Sequence, residues 1–420
     1  MEVYKFGGAS VQSAEGVKNL SCIVGKAEKP LVVVVSAMGK TTNAMEEVLR
    51  YFMEGEKEQA ANRFSIVKKY HIRIMEGLGL GQERVASVFA SVERILAEET
   101  PSCNGYDYWY DRIVSFGEIL STTIVNAYLN VQGIKSRFID MRRSFITDNR
   151  HREANVDYEL SRERLLKEIG TEPEGVYLLQ GFIGGTKEGE STTLGREGSD
   201  YTAAAVANIL DCKAVTIWKD VPGILNADPR IFGNTVLIPR LTYVDAVELA
   251  YSGAQIIHPK TIKPLQNKDI PLYVRPFGTP EAAGSVIKGN EGYTPHGIPV
   301  LILKRDQILI SIRPKDFSFV LEESLAHIFA LMHAYRQKIN LIQSSAIRIT
   351  LSVDNSRYFS GLLEELQKNY KVKYNDNLEL LTIRGYNSEV VERESAGHTV
   401  YVRQQTRRSY KLLRESTAER

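Results

Sequence analysis

Cysteine is scarce in this chain. Of 420 residues only 3 are Cys, and Cys22, Cys103 and Cys212 lie far apart with no C-x-x-C. An odd, scattered set supports neither a disulfide framework nor a zinc site, so the thiols read as buried and free. The 7 His residues are equally dispersed, with no i, i+4 pair and no H-E-x-x-H, and no side chain is assigned as a metal ligand. Neither sign of charge dominates: 53 Lys and Arg against 51 Asp and Glu leave a net charge of +2. That gives no field to gather nucleic acid or an anionic membrane. Long apolar runs are missing too. Near the start the longest, Leu31 to Ala37, is far too short to span a bilayer, and Met1 leads straight into a strand-like segment with no leader; a cytoplasmic protein is expected. The G-x-x-x-x-G-K-[ST] phosphate loop is also absent.

What is present is ordinary globular material. With 43% hydrophobic and 25% charged residues no disorder is indicated, and the length allows about two or three domains. Gly175 to Gly185 (GVYLLQGFIGG) is a buried-type apolar run, and Ala203 to Leu210 is Ala-rich and helical in pattern. Between them Thr192 to Thr202 (TTLGREGSDYT) reads as a strand-to-helix loop. Such a loop suits an anion. Gly195 and Gly198 let backbone approach closely, Ser199 caps the helix, Arg196 offers a fork of donors, and the first helical turn has free N–H groups. A plain turn of Gly, Ser and Asp fits the same residues.

Other segments converge on the same place. Val3 to Ser10 (VYKFGGAS) is a strand entering a Gly-Gly turn, so Lys5, Gly7, Gly8 and Ser10 can cradle a phosphate with backbone donors and one cation; a surface lysine before a turn is the alternative. Pro30 to Ser36 has apolar residues on both faces, as a central parallel strand does, and Ser36 and Thr42 leave its C-terminal end, as ligand contacts or as helix caps. Glu118 sits beside Gly117 in an otherwise apolar helical pattern, where it either faces a cationic group or is exposed. Cys212 to Trp218 is another buried strand, followed by Lys219, Asp220, Pro222-Gly223 and Asp228-Pro229-Arg230 on loops. His258 before a proline reads as a cap. The composition turns to Gly, Pro and polar residues at Asn290 to Pro299, which marks a linker. Beyond it strands near 300–312, 341–351 and 377–383 alternate with helices near 324–337 and 357–370, and a shorter tail ends in strands near 399–404 and 409–413. That is a β-α-β-β-α-β, ferredoxin-like module, with a second that is shortened.

The motifs Lys5-Phe6-Gly7-Gly8-Ala9-Ser10, Ser36-Ala37, Phe116-Gly117-Glu118, Gly181-Phe182-Ile183-Gly184, Thr192 to Ala204, Asp220-Val221-Pro222-Gly223 with Asp228-Pro229-Arg230, and Gly253-Ala254-Gln255 to Pro259 occur in one order over the first two-thirds of the chain. In them the chain resembles the aspartokinase family of the amino-acid kinase superfamily. The tail resembles that family's ACT regulatory modules. The resemblance implies an α/β three-layer sandwich with a mainly parallel central sheet over residues 1–290, and ferredoxin-like ACT modules over 298–420. It implies transfer of the ATP γ-phosphoryl group, with Mg²⁺, to the β-carboxylate of L-aspartate, the first step toward lysine, threonine and methionine. By its positions Lys5 and Asp200 are catalytic. Ser36, Thr42, Glu118, Phe182, Arg196 and Ser199 hold aspartate. Lys5, Gly7, Gly8, Ser10, Lys219, Asp220, Asp228, Arg230 and Gln255 surround ATP. Asn340, Ser344 and Ser345 match the effector strand, and a homodimer or larger assembly is expected, since ACT modules pair across subunits.

Three positions depart from the pattern: Ala9 for the usual threonine, Glu197 for a glycine, and Gln255 for a lysine near the phosphates. Where that lysine is present, the position of Lys219 is often threonine, so the cation is expected to have moved to Lys219. Glutamate 5-kinase, acetylglutamate kinase and UMP kinase share the superfamily fold. A catalytically dead amino-acid sensor is the reading from another class.

Overall fold

The structure is a computed structural model that describes residues 1–99, 105–254, 257–289, 298–316, 319–320 and 322–416. The chain divides into two compact units, one of Met1–Ile224, Leu237–Val247 and Ile256–Tyr293, the other of Leu225–Val236, Glu248–Gln255 and Thr294–Arg420. The linker expected at 290–299 falls mostly outside the described residues.

In chain order the strands of the first unit are β1 (Glu2–Phe6), β2 (Leu31–Val35), β3 (Ser136–Ile139), β4 (Val176–Gln180), β5 (Ile183–Gly185), β6 (Ser191–Thr193), β7 (Val215–Lys219), β8 (Arg240–Leu241), β9 (Leu272–Pro276) and β10 (Ser285–Ile287). Eight of them form one sheet in the order β3-β4-β2-β1-β7-β9-β10-β8. Every pairing in it is parallel except β9 with β10. β2 and β4 are buried at every residue, so they carry the continuous apolar pattern of a sheet covered on both faces. Each such valine or leucine contributes about 1.5–3 kcal/mol by leaving water. Helices such as Ala14–Lys26, Phe116–Val131 and Gly198–Ile209 supply the cover.

The expected strand 175–185 is two strands. Phe182 has φ 68, and this left-handed residue ends β4 and turns the chain into the β5–β6 hairpin. Nor does Ser199 cap the following helix. Glu197 is the N-cap residue, in left-handed conformation (φ 54) without a side-chain cap, and the helix starts at Gly198, which puts Ser199 in its first turn. Of the cysteines, Cys212 is buried as expected, and burial pushes its thiol up to about 12. Cys22 is exposed, against expectation, because its side of helix Ala14–Lys26 faces away from the sheet. Cys103 lies outside the described residues.

The second unit holds one antiparallel sheet of β11 (Val300–Pro314), β12 (Ile339–Ser345), β13 (Arg348–Asp354), β14 (Tyr370–Arg384), β15 (Val400–Gln405) and β16 (Ser409–Glu415), in the order β12-β13-β11-β14-β16-β15. The strand expected at 341–351 is the β12–β13 hairpin, turning at Ala346-Ile347. β11 and β14 run through both modules. The half of β11 that pairs with β13 completes the first module, and the half from Val300 to Lys304 completes the second beside β14 and β16. After β16 no further helix follows among the described residues. Ala227, with Phe232 beside it, packs against Leu301, Leu381, Ile383 and Leu412 and helps cover that face. Among the described residues no helix is long and apolar enough to cross a membrane.

Candidate active site

Parallel register decides which side chains meet. Phe6, Val35, Gln180 and Trp218 lie in one row across β1, β2, β4 and β7. The residues just past that row, Gly7, Ser36, Gly181 and Lys219, therefore share one carboxyl edge, where ligands of open α/β sheets bind. Backbone bonds lock the edge: Ser36 N donates to Phe6 O at 3.1 Å and Gly181 N to Val35 O at 2.9 Å. A cavity of about 1000 Å³ opens there, and it is lined by Lys5, Gly7, Gly8, Ser10, Ser36, Thr42, Glu118, Phe182, Arg196, Ser199, Asp200, Lys219 and Asp220. Thirteen positions singled out in the sequence thus share one wall system.

Its electrostatic centre is Asp200. Lys5 Nζ lies 2.5 Å from Asp200 Oδ1, and Lys219 Nζ lies 3.7 Å from Oδ2. Burial pushes this carboxyl up, but the two ammonium groups outweigh it and hold it below the usual carboxylate range. Asp200 therefore stays ionised and cannot serve as a proton acceptor at neutral pH. Two ammonium charges against one carboxylate leave one positive charge over, so the cluster attracts an anion. By distance Oδ1 is paired with Lys5, and among the described residues it has no other partner.

Glu118 marks the other end. It lies in the first turn of helix Phe116–Val131, almost wholly buried, where Oε1 accepts from Ala37 N at 3.3 Å and Oε2 has no partner among the described residues. Burial pushes its carboxyl up to about 8, with the Ala37 amide opposing only weakly. Gly117 makes the approach possible, since a Cβ there would come 3.1 Å from that of Ala37. A buried acid with an open oxygen suits an arriving ammonium. Arg196 is exposed on the cavity wall and has no hydrogen-bonded partner among the described residues.

Phe182 holds its left-handed backbone through two bonds. Its N–H donates to Thr202 Oγ1 at 3.0 Å, and its carbonyl accepts from Leu194 N at 3.0 Å. An aromatic residue there is strained, and strain of this kind gathers at functional sites. Beside it, a Cβ on Gly181 would lie 2.5 Å from that of Ser199. Gly181→Ala is expected to push the helix start carrying Ser199 and Asp200, with a stability loss of roughly 1–3 kcal/mol in denaturant titration. An unchanged midpoint would show that the helix start has room to shift.

Other expected residues lie elsewhere. Asp228 and Arg230 belong to the second unit, where they bind each other in bidentate fashion at 3.0 and 2.7 Å. Gln255 lies outside the described residues. Asn340 is spent inside the second unit: Oδ1 accepts from Lys304 Nζ at 2.7 Å, and Nδ2 donates to Gln307 Oε1 at 2.8 Å and Asp354 Oδ1 at 2.7 Å. Ser344 and Ser345 are exposed on β12.

The sequence reading missed one wall of the cavity: Asp107, Tyr110, Arg150, His151, Arg152 and Glu153. Asp111, fully buried on helix Tyr106–Val114, holds that wall. It accepts from His151 Nδ1 at 2.9 Å, from Arg152 N at 3.1 Å and from Thr193 Oγ1 at 2.5 Å. The charge run Asp148 to Glu153, ahead of helix Tyr158–Ile169, was the only local signal.

Residues 1–276 match the amino acid kinase family. The chain is 32% identical to aspartokinase 1, chloroplastic, of Arabidopsis thaliana over 96% of this chain and 73% of that protein. It superposes on the crystal structure of E. coli aspartokinase III in complex with aspartate and ADP (R-state) with a TM-score of 0.80, at 25% identity, covering 99% of this chain and 96% of that one. The same E. coli enzyme in complex with lysine and aspartate (T-state) also gives 0.80, at 26% identity over 98% and 95%.

Proposed function

The chain belongs to the aspartokinases, within the amino acid kinase family, and phosphorylates aspartate with ATP; from that premise we propose that Lys5, Asp200 and Lys219 form the phosphoryl-transfer centre, with Glu118 and Arg196 gripping the amino acid. The product is 4-phospho-L-aspartate, which enters lysine, threonine and methionine biosynthesis. The convergence of two lysines on one buried aspartate, in a cavity that also holds Glu118, carries this reading.

The chemistry asks little of an acid or base. A β-carboxylate with a pKa near ~3.9 is ionised at neutral pH, so the nucleophile arrives activated. What remains is to bring two anions together in line and to neutralise the charge on the transferring phosphoryl group. Lys5 supplies the fixed cation from the central strand. Asp200, pinned in its ionised form, positions both ammonium groups. Gly7, Gly8 and Ser10 present backbone and hydroxyl donors to the phosphates, and Asp220 lies on the nucleotide side in this reading. Ser36, Thr42, Phe182 and Ser199 shape the amino-acid side.

Among the described residues no three of His, Cys, Asp and Glu gather as a metal cage. Asp200, held in its ionised form on the cavity wall, fits a Mg²⁺ that would come with the nucleotide. Asp200 and Asp220 are the acids that would face it. When bound, the ion supplies charge neutralisation on the β- and γ-phosphates.

An amino-acid effector acting on the second unit, a homodimer or larger assembly, and a division of the chain at 1–290 and 298–420 belong to the same proposal. With Asn340 engaged by Lys304, Ser344 and Ser345 are the side chains left to meet the effector.

Incubation with ATP, Mg²⁺, aspartate and hydroxylamine should give aspartyl hydroxamate, and glutamate or UMP in its place should not increase ADP release. No hydroxamate would leave the sensor reading. Arg196→Lys should raise KM for aspartate about 10- to 100-fold with little change in KM for ATP, because a point cation replaces a bidentate fork. Equal rises in both constants would remove Arg196 from the amino-acid side.

A further inference from the structure

Glu197 stands in a turn whose backbone favours glycine. The turn Gly195 to Gly198 closes with Gly198 N donating to Gly195 O at 3.1 Å. Gly195 has φ 77, Glu197 has φ 54, and a Cβ on Gly198 would come 2.6 Å from Phe182 Cδ2. A left-handed φ disfavours any residue with a Cβ, and Glu is not among the types that tolerate it well. Something must compensate for a glutamate here. Its carboxylate does not bend back to cap the helix it begins. It reaches forward instead, where Oε2 accepts the backbone N–H of His258 at 2.9 Å, a contact 61 residues on in sequence.

The receiving segment is itself built to be rigid. His258 is the N-cap of helix Pro259–Gln266, with Nδ1 accepting from Lys260 N at 3.1 Å, and Pro259 opens the helix. Lys260 then returns to the same turn from the other side. Its Nζ donates to Leu194 O at 2.9 Å and lies 4.7 Å from the centroid of the Tyr201 ring. The turn is thus tied at Leu194 and at Glu197, and Arg196 stands between the two ties. Arg196 has no hydrogen-bonded partner of its own among the described residues, so these ties set where its backbone stands before substrate arrives.

We propose that Glu197 is a positioning residue for the amino-acid substrate: its bond to the His258 amide fixes the turn that presents Arg196 to the substrate carboxylate. This rests on Arg196 meeting that carboxylate. A charge-assisted bond to a backbone amide offsets the unfavourable backbone, which explains a glutamate at a glycine position. With the turn already held, only the Arg196 side chain has to be ordered when substrate binds, so the effect should fall on aspartate affinity more than on turnover.

Glu197→Gly, Glu197→Ala and Glu197→Gln separate the possibilities. Glycine relieves the backbone and removes the tie, alanine removes the tie alone, and glutamine keeps an oxygen that can accept from His258. Glycine and alanine should both raise KM for aspartate about 5- to 20-fold, with KM for ATP and kcat within about 2-fold, and glutamine should stay within about 3-fold of wild type. Alanine should melt lower than glycine, although the two share the same KM. If the glycine variant binds aspartate like wild type, the proposal is wrong. If glutamine behaves like glycine, the charge acts on the cavity directly and the tie is again wrong. Arg196→Lys run beside them keeps the premise separate: a normal KM for aspartate there removes the Arg196 assignment, whereas a raised KM there with a normal Glu197→Gly removes only the tie.

Discussion

Lys219→Ala should lower kcat about 10²- to 10³-fold while KM for aspartate stays within about 3-fold, a loss of the size seen when one preorganised charge donor is removed from a transition state. Asp200 would keep its partner in Lys5, so the fold should survive, but the centre would lose its surplus positive charge. One ammonium would then face one carboxylate, at 2.5 Å, with nothing left over for the phosphoryl group. The ground state should suffer less, because in the proposed reading ATP would also be held by the backbone donors of Gly7 and Gly8. The resemblance to the aspartokinases implies a lysine at the position of Gln255 and often a threonine at that of Lys219, and on that ground we propose that the cation has moved to Lys219. A Lys219→Thr, Gln255→Lys double variant is accordingly expected to regain at least about 10-fold in kcat over Lys219→Thr alone. Near-normal kinetics for Lys219→Ala would end the assignment. No gain in the double variant would end the exchange alone.

The parts of this site legible in the sequence are those set by strand ends. Ser36 and Lys219 could be placed because they end apolar, β-branched strands, and Lys5 because its strand enters a Gly-Gly turn; register then brings the three together. The break at Phe182 was not legible, since a left-handed aromatic runs against its own backbone preference and is held by Thr202, which lies 20 residues on. The start of the helix at Gly198 was hidden for the same reason at Glu197. The wall from Arg150 to Glu153 depends on Asp111, 40 residues before His151, and a buried aspartate looks like any other until its partners are known. Asp228-Pro229-Arg230 was legible as a turn. That its neighbours Ala227 and Phe232 pack into the core of the second unit was not, because local composition carries no trace of partners as far along the chain as Leu301 and Leu412.

Glu118→Gln should raise KM for aspartate roughly 100-fold, as expected when one partner of a buried ion pair is replaced by a neutral isostere. The sharper test is the proton. In the empty site the carboxyl sits at about 8, raised by burial, so near pH 7 it is mostly protonated. The substrate ammonium stays protonated across this range and needs the carboxylate, so binding expels the Glu118 proton. Close to one proton should be released per aspartate bound at pH 7. The binding enthalpy should then differ between phosphate and Tris buffers by their ionisation heats, and affinity should rise about tenfold per pH unit up to about 8 before levelling. The sign for stability is opposite in the free protein. A carboxyl whose folded pKa lies above its unfolded value favours folding at low pH, and that contribution fades as pH rises from the unfolded value near ~4.3 toward about 8. Bound aspartate reverses the preference, so the thermal shift it produces should grow between pH 6 and 8. In Glu118→Gln both the buffer dependence and the growth of the shift should vanish. A buffer-independent enthalpy in the wild-type protein would mean that Glu118 is ionised before aspartate arrives, and its pairing with the ammonium would then have to be abandoned or moved to another acid of the cavity.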